Sequence, residues 1–405
     1  MSFAGLWESL LPVGRDPATG GYNRFSWTPA DAACRAWFGR AAGERGLRAE
    51  VDGNGNLWAW WEPPAGSGRA VVTGSHLDSV PNGGAFDGPL GVVSGFAAID
   101  LLRAEGRVPA RPVGIAAFSE EEGGRFGVAC LGSRLLTGTI SPAVARDLTD
   151  ASGVTLAAAM AAAGHDPARL GPDNRLLASL GAYVELHVEQ GRALAEAGAP
   201  IGIGERIWPH GRWRLDFTGR PDHAGTAVLA DRCDPMLPFA ATVLAARQAA
   251  AAHGALATVG RVTAEPGAVN AVSARVTTWL DARGPDDQAL QAVVDEVLAA
   301  AGTAAAVHGV RLAAGPESVT EAVEFDPGLR STVAAALAAR QIAAVPLPTG
   351  AGHDAGVLAA RVPAAMLFVR NPTGVSHAPS EHAEPADCET GVRALAAVLA
   401  ELACQ

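Results

Sequence analysis

The chain has 405 residues, long enough for two domains and a large core. Its formal charge of −11, with no block of Lys or Arg, argues against nucleic acid or an anionic membrane surface as a partner. The five cysteines (Cys34, Cys130, Cys233, Cys388, Cys404) form no Cys-x-x-Cys, Glu8 stands where a signal peptide would be basic, and no apolar run reaches about 18 residues, so a soluble cytoplasmic protein is expected.

Thr28-Pro29-Ala30-Asp31 reads as an N-cap with proline at the first helical position, opening a helix over 32–43 whose Cys34, Trp37, Phe38 and Ala41 face inward. Asp52 to Asn56 is a turn into a strand, Leu57 to Trp61, whose Trp58, Trp60 and Trp61 are packing residues. The apolar run Ala70 to Thr73 then predicts a buried strand ending in Gly74-Ser75-His76-Leu77-Asp78-Ser79-Val80. A glycine-rich loop carries the chain from there to Asp87-Gly88, at the start of a helix over about 90–102. An imidazole and a carboxylate so placed suit a divalent metal, with Asp78 near enough to hold the imidazole tautomer. His-x-Asp alone is common, however, and three later strand ends are what give it meaning.

The first of these follows Val113 to Phe118, a continuous apolar run of the kind a strand buried on both faces requires. It runs straight into Ser119-Glu120-Glu121-Glu122-Gly123-Gly124-Arg125-Phe126. Three adjacent carboxylates are usually a solvated turn, but these sit at the end of a buried strand. Residues 135–178 are Ala-rich and helical in pattern, without chemistry. The third strand, Ala182 to His187, places Tyr183, Glu185 and His187 on one face by parity and leads into Val188-Glu189-Gln190-Gly191. Ligands of open α/β sheets sit at the carboxyl ends of the strands, where each of these residues falls.

Beyond Gly204 the texture changes. Alternation over 212–218 predicts a strand open on one face, followed by Asp222-His223-Ala224-Gly225-Thr226 and a helix near 235–253. Strands over 257–264 and 274–280 bracket Glu265 to Asn270; a helix over 286–301 and a strand near Val310 to Leu312 follow. Strand–helix–strand–strand–helix–strand is the ferredoxin-like order, here an α+β domain at 208–322 inserted into an α/β domain made of 1–207 and 323–405. The chain then returns to its first texture: a helix over 327–340, Gly350-Ala351-Gly352-His353-Asp354-Ala355, a buried strand over 364–369, the run Asn371 to Glu381 with His377 in it, and a last helix.

His76, Asp87, Glu122, His187 and His377 are too many ligands for one ion, and two ions sharing a carboxylate fit the count. A glutamate beside a ligand, Glu121, suits a base that activates water. His165, His253 and His308 have no partner motif and read as ordinary; His210 and His382 stay open as substrate contacts.

Taken together, Gly-Ser-His-Leu-Asp-Ser-Val, Glu-Glu-Glu-Gly-Gly-Arg-Phe, Glu-Leu-His-Val-Glu-Gln-Gly, His-Ala-Gly-Thr, Gly-Ala-Gly-His-Asp-Ala and Ser-His-Ala-Pro resemble the hydantoinase/carbamoylase branch of the M20 metallohydrolases, in order and over nearly the whole chain. The resemblance implies a mixed-sheet catalytic domain holding two divalent ions (Zn, Mn, Co or Ni), one on His76, Asp87 and His187, the other on Asp87, Glu122 and His377. It implies that Glu121 is the general base and later the acid. It also makes the inserted domain a dimerisation lid, with His223 reaching into the neighbouring chain's site, and assigns Asn270 and Arg283 to a substrate carboxylate and Gln190 and His353 to the pocket. The implied reaction is hydrolysis of a ureido C–N bond in a small carboxylate, allantoate or an N-carbamoyl-L-amino acid, with release of ammonia by a homodimer. The Gly20 to Trp27 texture leans toward the allantoate type. Ala227-Val228-Leu229, Asp222 and Ser273 depart from the usual pattern and bear on substrate preference, not on the ligands. Two alternatives are an M20 aminoacylase or dipeptidase, against which His187 argues, and a non-catalytic dimeric binding homologue, which would be expected to have lost Glu121 or a ligand.

Overall fold

In the computed structural model, which describes residues 2–64 and 68–404, the chain divides into two compact units. One comprises Met1–Glu205 and Glu324–Gln405, the other Arg206–Val323.

The first unit is built on a nine-stranded sheet. Its first five strands are β1 (Arg48–Val51), β2 (Leu57–Trp61), β3 (Ala70–His76), β4 (Val113–Phe118) and β5 (Leu180–Val188). β6 (Ile201–Ile207) leads the chain out of this unit. The second unit then contributes β7 (His210–Thr218), β8 (Asp222–His223), β9 (Leu256–Glu265), β10 (Ala271–Val272), β11 (Arg275–Arg283) and β12 (Arg311–Thr320). The return adds β13 (Val323–Glu324), β14 (Ala344–Thr349) and β15 (Ala364–Val369). The large sheet runs β1-β2-β4-β3-β5-β15-β6-β13, with β14 on β6. β4, β3, β5 and β15 are mutually parallel, and antiparallel strands flank them.

Side-chain parity sorts this sheet into two faces. Val71, Val113, Ile115, Val184, Leu186, Leu367 and Val369 join a core shared with the helices Pro89–Ala104 and Pro385–Ala403, through Leu90, Val93, Phe96, Leu395 and Leu399. The opposite parity carries His76, Phe118, Tyr183, Glu185 and His187. These too are buried, which is why the four central strands read as continuous apolar runs. Trp58 and Trp60 stack at 5.7 Å, and Trp58 and Phe118 meet edge to face, so the tryptophans of β2 are packing residues, as expected.

Two strands of this sheet escape a reading by pattern. β6 alternates glycine with isoleucine, and β14 contains Pro346 and Pro348; neither has the branched, apolar texture that marks a strand.

The second unit is a four-stranded antiparallel sheet, β12-β7-β11-β9, with the helices Met236–Ala252 and Asp287–Val307. Trp213, Leu215, Phe217, Val276, Leu280 and Ala282 pack from the sheet onto Ala246, Ala249, Val293 and Val297 of the helices. Order and connectivity are ferredoxin-like. β12 is longer than its apolar start suggests, because it continues as an edge strand through a register shift at Pro316. Among the described residues only Asp287–Val307 is long and apolar enough to cross a membrane, and its apolar side is spent on this core.

Candidate metal centre

The four central parallel strands deliver the site. His76 ends β3, opposite Phe118 at the end of β4, and His187 near the end of β5 is opposite Phe368 on β15. Glu121 and Glu122 follow β4, and His377 lies on the loop after β15. Asp87 comes from the loop between β3 and the next helix. Gly88 follows it at a φ of 84°, and a Cβ there would collide with the His76 ring, so only glycine lets the loop close so tightly over the imidazole.

Asp87 stands at the centre. Its Oδ1 is 3.5 Å from His76 Nε2 and 3.2 Å from His187 Nε2. Its Oδ2 is 3.4 Å from His377 Nε2, which is itself 3.5 Å from Glu122 Oε2. The two oxygens of one carboxylate thus face two groups, His76–Asp87–His187 and Asp87–Glu122–His377, each close enough to hold a metal ion. Among the described residues His76 Nε2, His187 Nε2 and Glu122 Oε1 are buried without a hydrogen-bond partner. Orphaned imidazole nitrogens and carboxylate oxygens are costly unless something takes them, and a divalent cation does so. The donor set fits.

The surroundings fix the ligands. His76 Nδ1 is 3.1 Å from the Asp78 carbonyl, and His187 Nδ1 is 2.9 Å from the Val188 carbonyl. Each ring therefore donates from Nδ1 and leaves Nε2 for the centre. Asp78 holds the His76 tautomer by its carbonyl, with Oδ1 of its carboxylate 3.6 Å from the same Nδ1, and that carboxylate also accepts the N–H groups of Glu121 and Glu122 at 3.2 and 3.1 Å. Asp78 is thus the anchor of the acidic turn. Glu120 is buried as well and accepts the N–H groups of Arg125 and Phe126, so the triple carboxylate is no solvated turn.

Glu121 sits beside the centre with Oε2 3.7 Å from His76 Nε2. Its Oε1 accepts the thiol of Cys130 at 3.2 Å. Burial, opposed by His76 but helped by Asp354 and Glu122, holds its carboxyl well above the usual range. Burial and the Asp87 charge push Glu122 up to about 7. Burial works against the Asp87 carboxylate too, but the imidazoles of His187, His377 and His76 around it outweigh that and hold the group well below its ordinary value. His377 is raised to about 9, chiefly by Asp87.

Gln190 and His353 also come to the centre. The Gln190 amide donates to Asp87 Oδ2 at 2.9 Å, and the His353 ring lies 4.5 Å from that of His187. His353 Nε2 is buried without a partner, and burial, with the neighbouring His187, keeps that imidazole well below its usual range and hence neutral. His382 pairs with Glu384 and His210 with the Trp208 carbonyl.

The second unit does not bring its candidates together. His223 pairs with Ala271 across the short β8–β10 ribbon, and the Asn270 carbonyl accepts the Ala224 N–H. Both lie near the Arg275–Thr218 end of the sheet, whereas Arg283 ends β11 opposite His210. At about 3.3 Å per residue, β11 separates the two ends by roughly 26 Å. Within one chain, Asn270 and Arg283, both assigned to a substrate carboxylate, therefore stand a whole strand apart.

Sequence reasoning missed Glu381, Ser376 and Cys130 at this centre. Glu381 stands four residues after His377, yet nothing in that spacing shows that it reaches the Asp87 loop.

The pH dependence of the metal-depleted fold follows from Glu122 and His377. A carboxyl whose pKa is raised on folding loses stabilisation as pH rises from about 4.5 to about 7. An imidazole raised from 6.5 to about 9 stabilises below 6.5 and loses that contribution as pH climbs through 9. Asp87 acts in the opposite sense at the acid end, as pH falls below the ordinary carboxylate value, and His353, held low, does so below 6.5, but Glu121, His76 and His187, all raised, add to Glu122 and His377. EDTA-treated protein should therefore melt at lower temperature as pH rises from about 5 to about 9. Adding Mn²⁺ should raise Tm more at about pH 8.5 than at about pH 6, because the ion replaces protons. An equal gain at both would remove the link between these protons and the ion.

A model of peptidase family M20/M25/M40 matches residues 72–401. An N-carbamoyl-L-amino acid amidohydrolase of Geobacillus stearothermophilus is 38% identical over 96% of both chains, and an allantoate amidohydrolase of Escherichia coli (strain K12) is 31% identical over 98% of both. The crystal structure of a hydantoinase/carbamoylase family amidase from Burkholderia ambifaria superposes with a TM-score of 0.84 at 33% identity, covering 100% of this chain and 98% of that one. The matched span holds every residue of the centre, and the chain belongs to peptidase family M20/M25/M40.

Proposed function

We propose that the chain is a two-metal amidohydrolase that cleaves a ureido C–N bond in a small carboxylate substrate and releases ammonia. The observation that carries this reading is Asp87, whose two oxygens serve two ligand groups beside a glutamate that belongs to neither. Divalent ions held there would polarise a carbonyl oxygen and ease the deprotonation of water. His and carboxylate ligands without thiolate do not select among Zn, Mn, Co and Ni.

Glu121 does the proton work. Its Oε1 is fixed by Cys130, so Oε2 is the oxygen turned toward the centre. Cations beside it would draw its raised pKa down toward the working range of a base. It takes the proton of the attacking water and returns it to the departing nitrogen, leaving the glutamate as it began. Gln190, which donates to Asp87, and the neutral His353 beside His187 would hold the substrate's polar end.

Arg283 is the group for the substrate carboxylate, since a planar guanidinium accepts one bidentately. It ends β11, opposite His210 at the start of β7. His223 and Asn270, a strand's length away, serve a second copy's site. The edge strand β9 supports such a homodimer, with exposed Val262 on it and exposed Leu237 and Leu244 on the neighbouring helix.

Ammonia release from N-carbamoyl-L-amino acids, allantoate and N-carbamoyl-β-alanine, with each metal added back after EDTA, tests the reaction. N-carbamoyl-L-amino acids come first, because the Geobacillus relative is the more similar of the two compared. Turnover of dipeptides or N-acyl amino acids, with none of the ureido compounds, would replace this reading by a peptidase or aminoacylase. In the same assay Arg283→Ala should raise KM steeply, with about 2–5 kcal/mol at stake for a desolvated charge pair. An unchanged KM would remove Arg283 from the carboxylate site.

A further inference from the structure

Three ligands of the centre stand on firm supports. His76 and His187 belong to adjacent strands of the large sheet, and Glu122 lies in a turn that Asp78 clamps by two backbone N–H groups. The other two, Asp87 and His377, are on loops, and they come from opposite ends of the sequence. One buried side chain ties those loops together. Glu381, 4% exposed, accepts the backbone N–H groups of Phe86 and Asp87 on Oε1, each at 2.9 Å. Its Oε2 accepts the hydroxyl of Ser376 at 3.2 Å, and that hydroxyl is also 3.2 Å from Asp87 Oδ2. Gly84 lies so close under the Glu381 carboxylate that a Cβ there would collide with it. The next residue after Ser376, His377, has a φ of 55°, a left-handed conformation that is uncommon without support.

We propose that Glu381, acting through Ser376, is a positioning residue that sets the ion site of Asp87, Glu122 and His377, and that it does so as a hydrogen-bonding strap and not through its charge. The proposal rests on the two-metal reading above. Without the strap, Asp87 keeps its place against His76 and His187, because those rings are carried by the sheet. What is lost is the fixed relation of Asp87 Oδ2 to His377, so the ion at that side should suffer and the ion at the other should not. Outer supports of this kind are worth about 10–100-fold in metal affinity.

Mn²⁺ titration of EDTA-treated protein by calorimetry, with circular dichroism to verify the fold, reads this without reference to activity. Wild type should bind two ions. Glu381→Ala should bind the first with unchanged affinity and the second about 10–100-fold more weakly. Glu381→Gln keeps an oxygen for the two N–H groups and an amide for the Ser376 side, and should restore most of the second affinity. A glutamine variant as weak as the alanine variant would show that charge is what matters, and would overturn the strap. Two ions bound as tightly as in wild type by Glu381→Ala would overturn it as well. A wild-type protein that binds a single ion would instead refute the two-metal reading, whatever Glu381 does. Should Glu381→Ala fail to fold, Ser376→Ala decides: selective weakening of the second ion upholds the proposal, and unchanged binding overturns it.

Discussion

Glu121→Gln should lose about 10²–10⁴-fold in turnover, the range for one positioned acid–base group, while keeping both metals and its KM. The amide fills the space of the carboxylate and can still meet Cys130, so the turn held by Asp78 is undisturbed. What it lacks is a basic oxygen in place of Oε2, the atom 3.7 Å from His76 Nε2. Glu122→Gln is the control. Its carboxylate lies 3.5 Å from His377 and makes no comparable approach to His76, so this variant should lose metal at the His377 side. Metal analysis of the two proteins beside their kinetics makes the comparison. If both variants lost metal equally, or both kept it, base and ligand would have been assigned wrongly.

The central strands and the residues at their ends were legible in the sequence because local chemistry and position coincide there. An apolar run of strand length that stops at a histidine or at three glutamates declares both the burial and the exception to it. The ferredoxin-like unit was legible for a different reason, since alternation and helix periodicity give its order directly. Legibility failed where a role depends on pairing between distant segments. The run over 274–280 predicts a strand, but nothing near Arg283 says that the strand continues to it in register with His210, placing Asn270 and Arg283 at opposite ends of a sheet. Nothing near Glu381 says that it meets the Phe86 and Asp87 amides. That Asp78 holds its neighbour His76 was legible from their spacing; that its carboxylate also binds backbone more than forty positions on was not. Short strands of glycine and proline such as β6 and β14 were missed because the sheet around them, and not their own residues, makes them strands.

Asp87→Ala should have the widest effect of any substitution in the chain. Removing a ligand of one site alone leaves the other site complete; removing Asp87 takes a ligand from both at once, leaving His76 with His187 and Glu122 with His377. Two protein ligands are fewer than a structural or catalytic zinc site ordinarily uses. Both affinities should fall by more than the 100-fold or so expected for losing an outer support, and turnover by at least the roughly 10⁴-fold upper bound for losing the base. The protein should still fold when metal-free, because the helix Pro89–Ala104 that follows is anchored by Leu90, Val93 and Phe96 in the core and not by Asp87. Asp87→Asn separates the two halves of the role. Its remaining carbonyl oxygen can serve one group, so a single ion should bind with affinity near that of the wild-type first site, and activity should still be lost. The measurement is metal content after dialysis against a low concentration of the ion, with turnover read on the same samples. An alanine variant that retained two ions would show that Asp87 lies between the two sites without bridging them, and the ligands would then have to be sought elsewhere.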